Sequence, residues 1–375
     1  RKNREKMGEL RLMKGNEVLA EAAIRCGCDG YFGYPITPQS EVMETLMELA
    51  PWETTGMVVL QAESEIASIN MVYGAAATGK KVMTSSSSPG ISLMMEGISY
   101  LAGAELPCLV VNVQRGGPGL GTIQPSQADY NQAVKGGGHG DYRLITLAPS
   151  SVQEMHDFVE LAFDLAFKYH NPVMILTDGA LGQMMEKVEL ADFKPRWTKE
   201  EIQQISGSWA TTGKPAGRKK NVITSLEMDP GKMEQNNLRF QKKFKAIEEN
   251  EARYEKLMCD DAEYIIVAFG TSSRICQRAI EIGRAKGIKV GLLRPITLWP
   301  FPSKAISEMT CRVKGFMSVE MSAGQMVDDV KLAVFNTGCT LPVEYFGRMG
   351  GILPSPSEVI EALEKKLVNR LIYGD

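Results

Sequence analysis

No run of apolar residues in this sequence approaches the roughly 20 that a membrane-crossing helix needs, so no membrane association is expected. Charge of one sign is missing as well. The 42 Lys and Arg stand against 45 Asp and Glu with no basic stripe, so nucleic acid is not an expected partner. Cysteine is sparse and odd in number: seven residues at scattered positions predict reduced thiols rather than a disulfide framework. Only Cys26 and Cys28 are closely spaced, and no C-x2-C-x2-C run of the iron–sulfur type occurs. His139, His156 and His170 are too far apart in sequence to suggest a metal site, and no metal ligand is expected in this chain. Also absent are G-x-G-x-x-G, G-x4-G-K-[ST] and G-x-S-x-G, as is any Gly-Asp-Gly followed about 25 residues later by Asn. The basic segment Arg1–Lys14 lacks the apolar core of a signal peptide, which predicts a cytoplasmic location. Because the sequence opens on Arg1, Met7 and Met13 are candidate starts.

What is present is a regular alternation of helix and strand. A chain of 375 residues exceeds one ordinary core and predicts two domains. After an N-terminal extension, 1–14, a first α/β domain is expected over 15–193. Its strands are read at Tyr31–Gly33, Met57–Leu60, Lys81–Thr84, Cys108–Val113, Leu144–Leu147 and Val173–Thr177. Short, nearly continuous apolar strands with helical crossovers mean parallel sheets covered on both faces. A charged linker, 194–260, carries a helix predicted from about Met233 to Leu257. Leu238, Phe244, Ile247, Tyr254 and Leu257 recur along it at helical spacing, so it is expected to strap across the surface or to contact another subunit. A second parallel α/β domain is expected over 261–375, with strands at Tyr264–Phe269, Lys289–Leu293 and Gly315–Val319. Its last helix is expected from Ser357 to Leu371.

Two segments could carry chemistry. In Tyr34-Pro35-Ile36-Thr37-Pro38 the prolines fix φ twice and stop helix or central strand, which leaves a stiff loop presenting the Thr37 hydroxyl at a strand end. Glu65 opens a helix that Ser64 can cap, so its charge complements the positive end of the helix dipole. The same residues also suit a plain turn and an ordinary first-turn acid. The loop Arg115-Gly116-Gly117-Pro118-Gly119-Leu120-Gly121 follows a strand and reads as a ligand-closing loop rather than a phosphate cradle. Its Arg115 is suited to a bidentate carboxylate contact or to a surface ion pair. The serine run Ser85–Ser88 before Pro89-Gly90 is a weak anion-site signal at a helix N-terminus.

Taken together, Tyr34-Pro35-Ile36-Thr37-Pro38, the Gln61…Glu65…Gly74 helix and Gln114-Arg115-Gly116-Gly117 resemble the alpha subunit of 2-oxoacid:ferredoxin oxidoreductases. Ala268-Phe269-Gly270-Thr271 and the run from Leu293 through Arg294-Pro295-Ile296-Thr297 to Pro302 extend the resemblance into the second domain. The charged linker and Trp299-Pro300-Phe301-Pro302 resemble the 2-ketoisovalerate (3-methyl-2-oxobutanoate) branch.

The resemblance implies that 15–193 is a thiamine-diphosphate pyrimidine-binding domain and that 261–375 is a transketolase C-terminal-like domain. It implies that Pro35, Ile36, Thr37 and Glu65 bind the cofactor. Glu65, with Glu63 as the rival acid, would hydrogen-bond the aminopyrimidine ring so that its exocyclic nitrogen can deprotonate the thiazolium. Thr37 and Arg115 would meet the substrate's carboxylate and carbonyl. Since the Gly-Asp-Gly…Asn motif is missing, the diphosphate and Mg²⁺ are expected on a beta subunit. The [4Fe-4S] clusters are expected on an iron–sulfur subunit of gamma or delta type, with ferredoxin as acceptor and coenzyme A as co-substrate. A 2-oxoglutarate:ferredoxin enzyme, half of a lipoamide-linked dehydrogenase or transketolase, and a non-catalytic α/β scaffold are the alternatives.

Overall fold

The computed structural model describes residues 8–369. The first seven residues of the expected extension, the candidate start Met7 and the expected helix end at Leu371 lie outside them.

The first α/β unit contains strands β1 (Glu9–Lys14), β2 (Gly30–Gly33), β3 (Val58–Gln61), β4 (Val82–Ser86), β5 (Leu109–Gln114), β6 (Ile145–Leu147), β7 (Val173–Asp178) and β8 (Met185–Leu190). The second contains β9 (Tyr254–Leu257), β10 (Tyr264–Val267), β11 (Val290–Pro295), β12 (Thr297–Trp299), β13 (Gly315–Glu320) and β14 (Val343–Gly347). The main sheet runs β12-β6-β7-β5-β4-β2-β3, and the second sheet β14-β13-β10-β11-β9. Strands β2 to β7 pair in parallel. Strands β4, β5 and β7 are fully buried, which is why β5 and β7 read as nearly continuous apolar runs.

From β2 the chain steps to β3 on one side, then returns to β4 on the other. The carboxyl ends of β2 and β4 therefore flank the point where the winding reverses, which is where open α/β sheets hold ligands.

Several expectations are corrected. The series does not close at β7: β8 pairs antiparallel with β1. The strand at Lys289–Leu293 extends to Pro295, and after Ile296 the three residues of β12 leave for the main sheet and pair antiparallel with β6. The expected helix from Met233 to Leu257 is a helix only over Pro230–Asn250. Tyr254 and Leu257 instead belong to β9, an antiparallel edge of the second sheet. The helix docks on the core rather than merely crossing the surface, with Phe240, Phe244 and Ile247 buried while Leu238 faces outward. Phe244 meets Trp299 edge-on, with ring centroids 5.7 Å apart.

One hydrophobic core joins the two units, running from Leu147 and Val159 to Phe316 and Val330. Polar ties cross the same junction. The amide of Gln127 donates to Met321 O (2.9 Å) and its Nε2 to Phe269 O (2.8 Å), while its Oε1 accepts from Ser272 Oγ (2.6 Å) and Met321 N (3.1 Å). Thr271 Oγ1 donates to Asp178 Oδ2 at 2.7 Å. Arg294, buried, pairs with Glu154 through Nη2 (2.6 Å) and Nη1 (2.9 Å). These bonds pair polar groups that the junction would otherwise bury unsatisfied.

Candidate functional site

Four segments that the sequence singled out lie at the carboxyl ends of four neighbouring strands. The Pro-Ile-Thr-Pro loop follows β2, Glu65 follows β3, the serine run ends β4, and Arg115 follows β5.

Glu65 is the first residue of the helix Glu65–Ala76, whose N-cap Ser64 accepts a hydrogen bond from Ala67 N at 3.2 Å. The side chain is buried and leans over Gly90, in the first turn of the helix Ser88–Gly103. A Cβ at Gly90 would collide with Ser86 Oγ and come within 2.8 Å of Glu65 Oε1 and 2.9 Å of Glu65 Cγ. Glycine is required there by close approach, not by its backbone angles. No described residue hydrogen-bonds the Glu65 carboxylate. The hydroxyls of Thr84, Ser86 and Ser87 are also buried without partners. The Glu65 carboxylate is thus buried at a strand end with its oxygens free to accept a hydrogen bond.

The serine run does not form an anion cradle. Ser85 and Ser86 continue β4, and Ser85 Oγ is held between Tyr31 Oη (2.8 Å) and Gln39 Oε1 (2.7 Å). The first helical amide, Ser88 N, donates to Asn112 Oδ1 at 3.1 Å, and Pro89 has no amide to offer.

Arg115 and Thr37 are brought together, though not through the Thr37 hydroxyl. Arg115 Nη1 donates to Thr37 O (3.0 Å) and Nη2 to Leu120 O (2.9 Å), so the guanidinium ties the Pro-Ile-Thr-Pro loop to the glycine loop. Its Nε is buried without a partner. The glycine loop is a closed excursion. Gly116 N donates to Gln124 O and Thr122 N to Gly116 O, and a Cβ at Gly121 (φ 61°) would strike Gly116 O.

A cavity of about 410 Å³ opens beside Arg115. Pro89, Leu120, Met321 and Met349 give it apolar walls, Ser88 and Asp129 add polar ones, and Arg115 is its one cationic lining residue among those described. Glu65 does not line it. Ser88 and Ser92 face the cavity, whereas Gly90, half a helical turn away, faces Glu65. The first turn of the Ser88–Gly103 helix thus stands between Glu65 and the cavity.

Sequence reasoning missed Gly90, Asn112 and Asp129. An Asn within the otherwise apolar Leu109–Val113 run was the one local signal. Asp129 Oδ2 accepts from Ser88 Oγ (2.6 Å) and Asn112 Nδ2 (2.9 Å), and burial pushes its carboxyl up against the lowering effect of those bonds. Among the described residues no three His, Cys, Asp or Glu side chains converge where a metal ion could sit.

Residues 21–256 match the family described as pyruvate flavodoxin/ferredoxin oxidoreductase, thiamine diphosphate-binding, and 262–359 match pyruvate:ferredoxin oxidoreductase core domain II. The chain belongs to the 2-oxoacid:ferredoxin oxidoreductase family. A family relative, ketoisovalerate oxidoreductase subunit VorB of Methanothermobacter thermautotrophicus, is 52% identical over 94% of this chain and 97% of that protein. The 2-oxoglutarate synthase subunit KorA of Methanothermobacter marburgensis is 34% identical over 95% of this chain and 99% of that protein. Among solved family structures, the 2-oxoglutarate:ferredoxin oxidoreductase of Magnetococcus marinus superposes with a TM-score of 0.83 at 27% identity. That match covers 96% of this chain and 65% of that one. The family's thiamine diphosphate suits the residues present: Glu65 offers an open acceptor at the winding reversal, next to the loop of Pro35, Ile36 and Thr37.

Proposed function

We propose that this chain is the pyrimidine-holding subunit of a cytoplasmic enzyme complex that oxidatively decarboxylates a branched-chain 2-oxoacid, 2-ketoisovalerate, to an acyl-CoA. The observation that carries this reading is the buried, unpartnered Glu65 carboxylate beside the carboxyl ends of β2 and β4. Glu65 would accept a hydrogen bond from the ring and hold its protonated form, with Pro35 and Ile36 walling the ring and Thr37 beside it. Bound here, thiamine diphosphate would supply a nucleophilic carbon for the 2-oxo carbon and a cationic ring as the sink for the electron pair left by departing CO2.

Arg115 and Thr37 would receive the substrate's carboxylate and carbonyl. Arg115 needs only to exchange one carbonyl partner, Thr37 O or Leu120 O, for a carboxylate oxygen, which is the stronger acceptor. The missing Gly-Asp-Gly…Asn and C-x2-C runs support assigning the diphosphate and Mg²⁺ to a beta subunit. They equally support assigning the [4Fe-4S] clusters that feed ferredoxin to a gamma- or delta-type subunit. That the relatives are named as subunits agrees with this division.

A branched-chain substrate is favoured over 2-oxoglutarate because Arg115 is the one described cation lining the cavity, whose other walls are largely apolar. A second carboxylate would be left unpaired there. The test is CoA-dependent viologen reduction by the assembled complex, wild type against Glu65→Gln, with 2-ketoisovalerate, pyruvate and 2-oxoglutarate in parallel. The expected result is preference for 2-ketoisovalerate and a loss of about 100-fold or more in the variant. A fully active Glu65→Gln complex would overturn the role of Glu65, and preference for 2-oxoglutarate would overturn the substrate.

A further inference from the structure

We propose that Asp129 is a positioning residue for Arg115, acting through the hydroxyl of Ser88. The proposal rests on the reading of Arg115 as the group that meets the substrate's carboxylate. The Ser88 hydroxyl has one proton and two possible acceptors, Asp129 Oδ2 at 2.6 Å and Arg115 O at 3.3 Å. The shorter bond, to a carboxylate, takes the proton. With its proton committed to Asp129, Ser88 Oγ turns a lone pair toward the Arg115 amide, which donates to it at 3.0 Å.

Asp129 is itself fixed. Its amide donates to Gln114 Oε1 at 3.1 Å, and Asn112 Nδ2 donates to its Oδ2 at 2.9 Å. Both partners lie on β5, the strand that delivers Arg115. Asn112 Oδ1 in turn takes Ser88 N. The end of β5, the start of the Ser88–Gly103 helix and Arg115 are therefore locked in one register, and Asp129 is the acceptor that sets the direction of the central hydroxyl. Ser88, Arg115 and Asp129 all stand on the wall of the 410 Å³ cavity, so a change in that register moves Arg115 relative to whatever the cavity admits.

Removing the acceptor in Asp129→Ala frees the Ser88 proton to turn to Arg115 O and breaks the hold on the Arg115 amide. Asp129→Asn keeps an oxygen that can accept from both Ser88 and Asn112. In the assembled complex, Asp129→Ala is expected to raise KM for 2-ketoisovalerate about tenfold, the worth of one charge-assisted hydrogen bond, with kcat changed less than about threefold. Asp129→Asn is expected to restore KM to within about threefold. Amide hydrogen exchange of peptides spanning 113–121 should quicken in the alanine variant and not in the asparagine variant.

An unchanged KM in Asp129→Ala, with stability alone reduced, would overturn the proposal. An asparagine variant as impaired as the alanine variant would do the same. If Asp129→Ala does not assemble, Ser88→Ala breaks the same link and is held to the same expected rise in KM and exchange. Arg115→Lys separates the two layers: no effect on KM would refute the underlying role of Arg115. The exchange measurement then still decides whether Asp129 holds this segment.

Discussion

Replacing Gly90 by alanine is the most direct way to displace Glu65 without altering its chemistry. The added methyl would collide with Ser86 Oγ and approach Glu65 Oε1 to 2.8 Å and Cγ to 2.9 Å, so at least two side chains must shift. Overpacking of this kind costs about 1–3 kcal/mol. The better helix propensity of alanine returns up to about 1 kcal/mol, leaving a net loss of about 0–3 kcal/mol, small enough for the chain to fold. The effect on ligand binding should be larger. A carboxylate pushed out of line by an ångström forfeits a charge-assisted hydrogen bond of about 1.5–3 kcal/mol, or about 10- to 150-fold in Kd. The assay is titration of the cofactor-free complex with thiamine diphosphate, followed by calorimetry, beside thermal unfolding of the same protein. Gly97→Ala serves as comparison, because its methyl would press Ile69, one turn beyond Glu65 on the facing helix, without touching Glu65. It should cost similar stability with a smaller change in affinity. Wild-type affinity in Gly90→Ala would refute the argument that Glu65, where it lies over Gly90, is the group that receives the ring.

Three further outcomes are expected. Phe244→Ala should destabilise the chain by about 3–5 kcal/mol in denaturant unfolding followed by tryptophan fluorescence, since it empties a buried site against Trp299; a loss under about 1 kcal/mol would mean that the 230–250 helix is peripheral. Asp178 is buried and its carboxyl is raised chiefly by that burial, so the folded state holds its proton more tightly than the unfolded state. Its contribution to stability therefore falls as pH rises from the ordinary aspartate value through the raised one. Thermal melts between pH 4 and 7 should show wild type losing ground to Asp178→Asn as pH increases, and parallel curves would refute this. Thiol titration of the native chain should find two fast groups, Cys311 and Cys339. Cys26, Cys28, Cys108, Cys259 and Cys276 are buried, with thiols pushed up by burial, and should react only on unfolding.

The elements that could be read from sequence were those with a strong local period or a clear cap. Ser64 caps the helix that Glu65 opens, as its position implied, and the buried strands β5 and β7 announced themselves as largely apolar runs. What escaped was decided by distant partners. Tyr254 and Leu257 fit a helical spacing with Phe244 and Ile247, yet the antiparallel pairing of Leu292 with Leu257 wins the segment for a sheet. Three-residue β12 carries too little pattern to be seen at all. Around the site, Glu65, Thr37 and Arg115 stood out because strand ends and prolines mark them. Gly90 and Asp129 did not: one is required by a helix packed from elsewhere in the chain, and the other takes its meaning from a serine 41 residues earlier.

The crossing of β12 into the main sheet has a consequence for how this protein is made. Until Trp299 leaves the ribosome, the outer edge of β6 is an open row of backbone donors and acceptors, although the rest of that sheet has long been synthesised. The pairing of Thr297 with Leu147 spans 150 positions, a long loop to close, so the final step in sealing the first unit waits on the second. Any chain ended within the charged stretch after residue 194 would expose that edge, and its expected fate is self-association through β6 rather than an independently stable half.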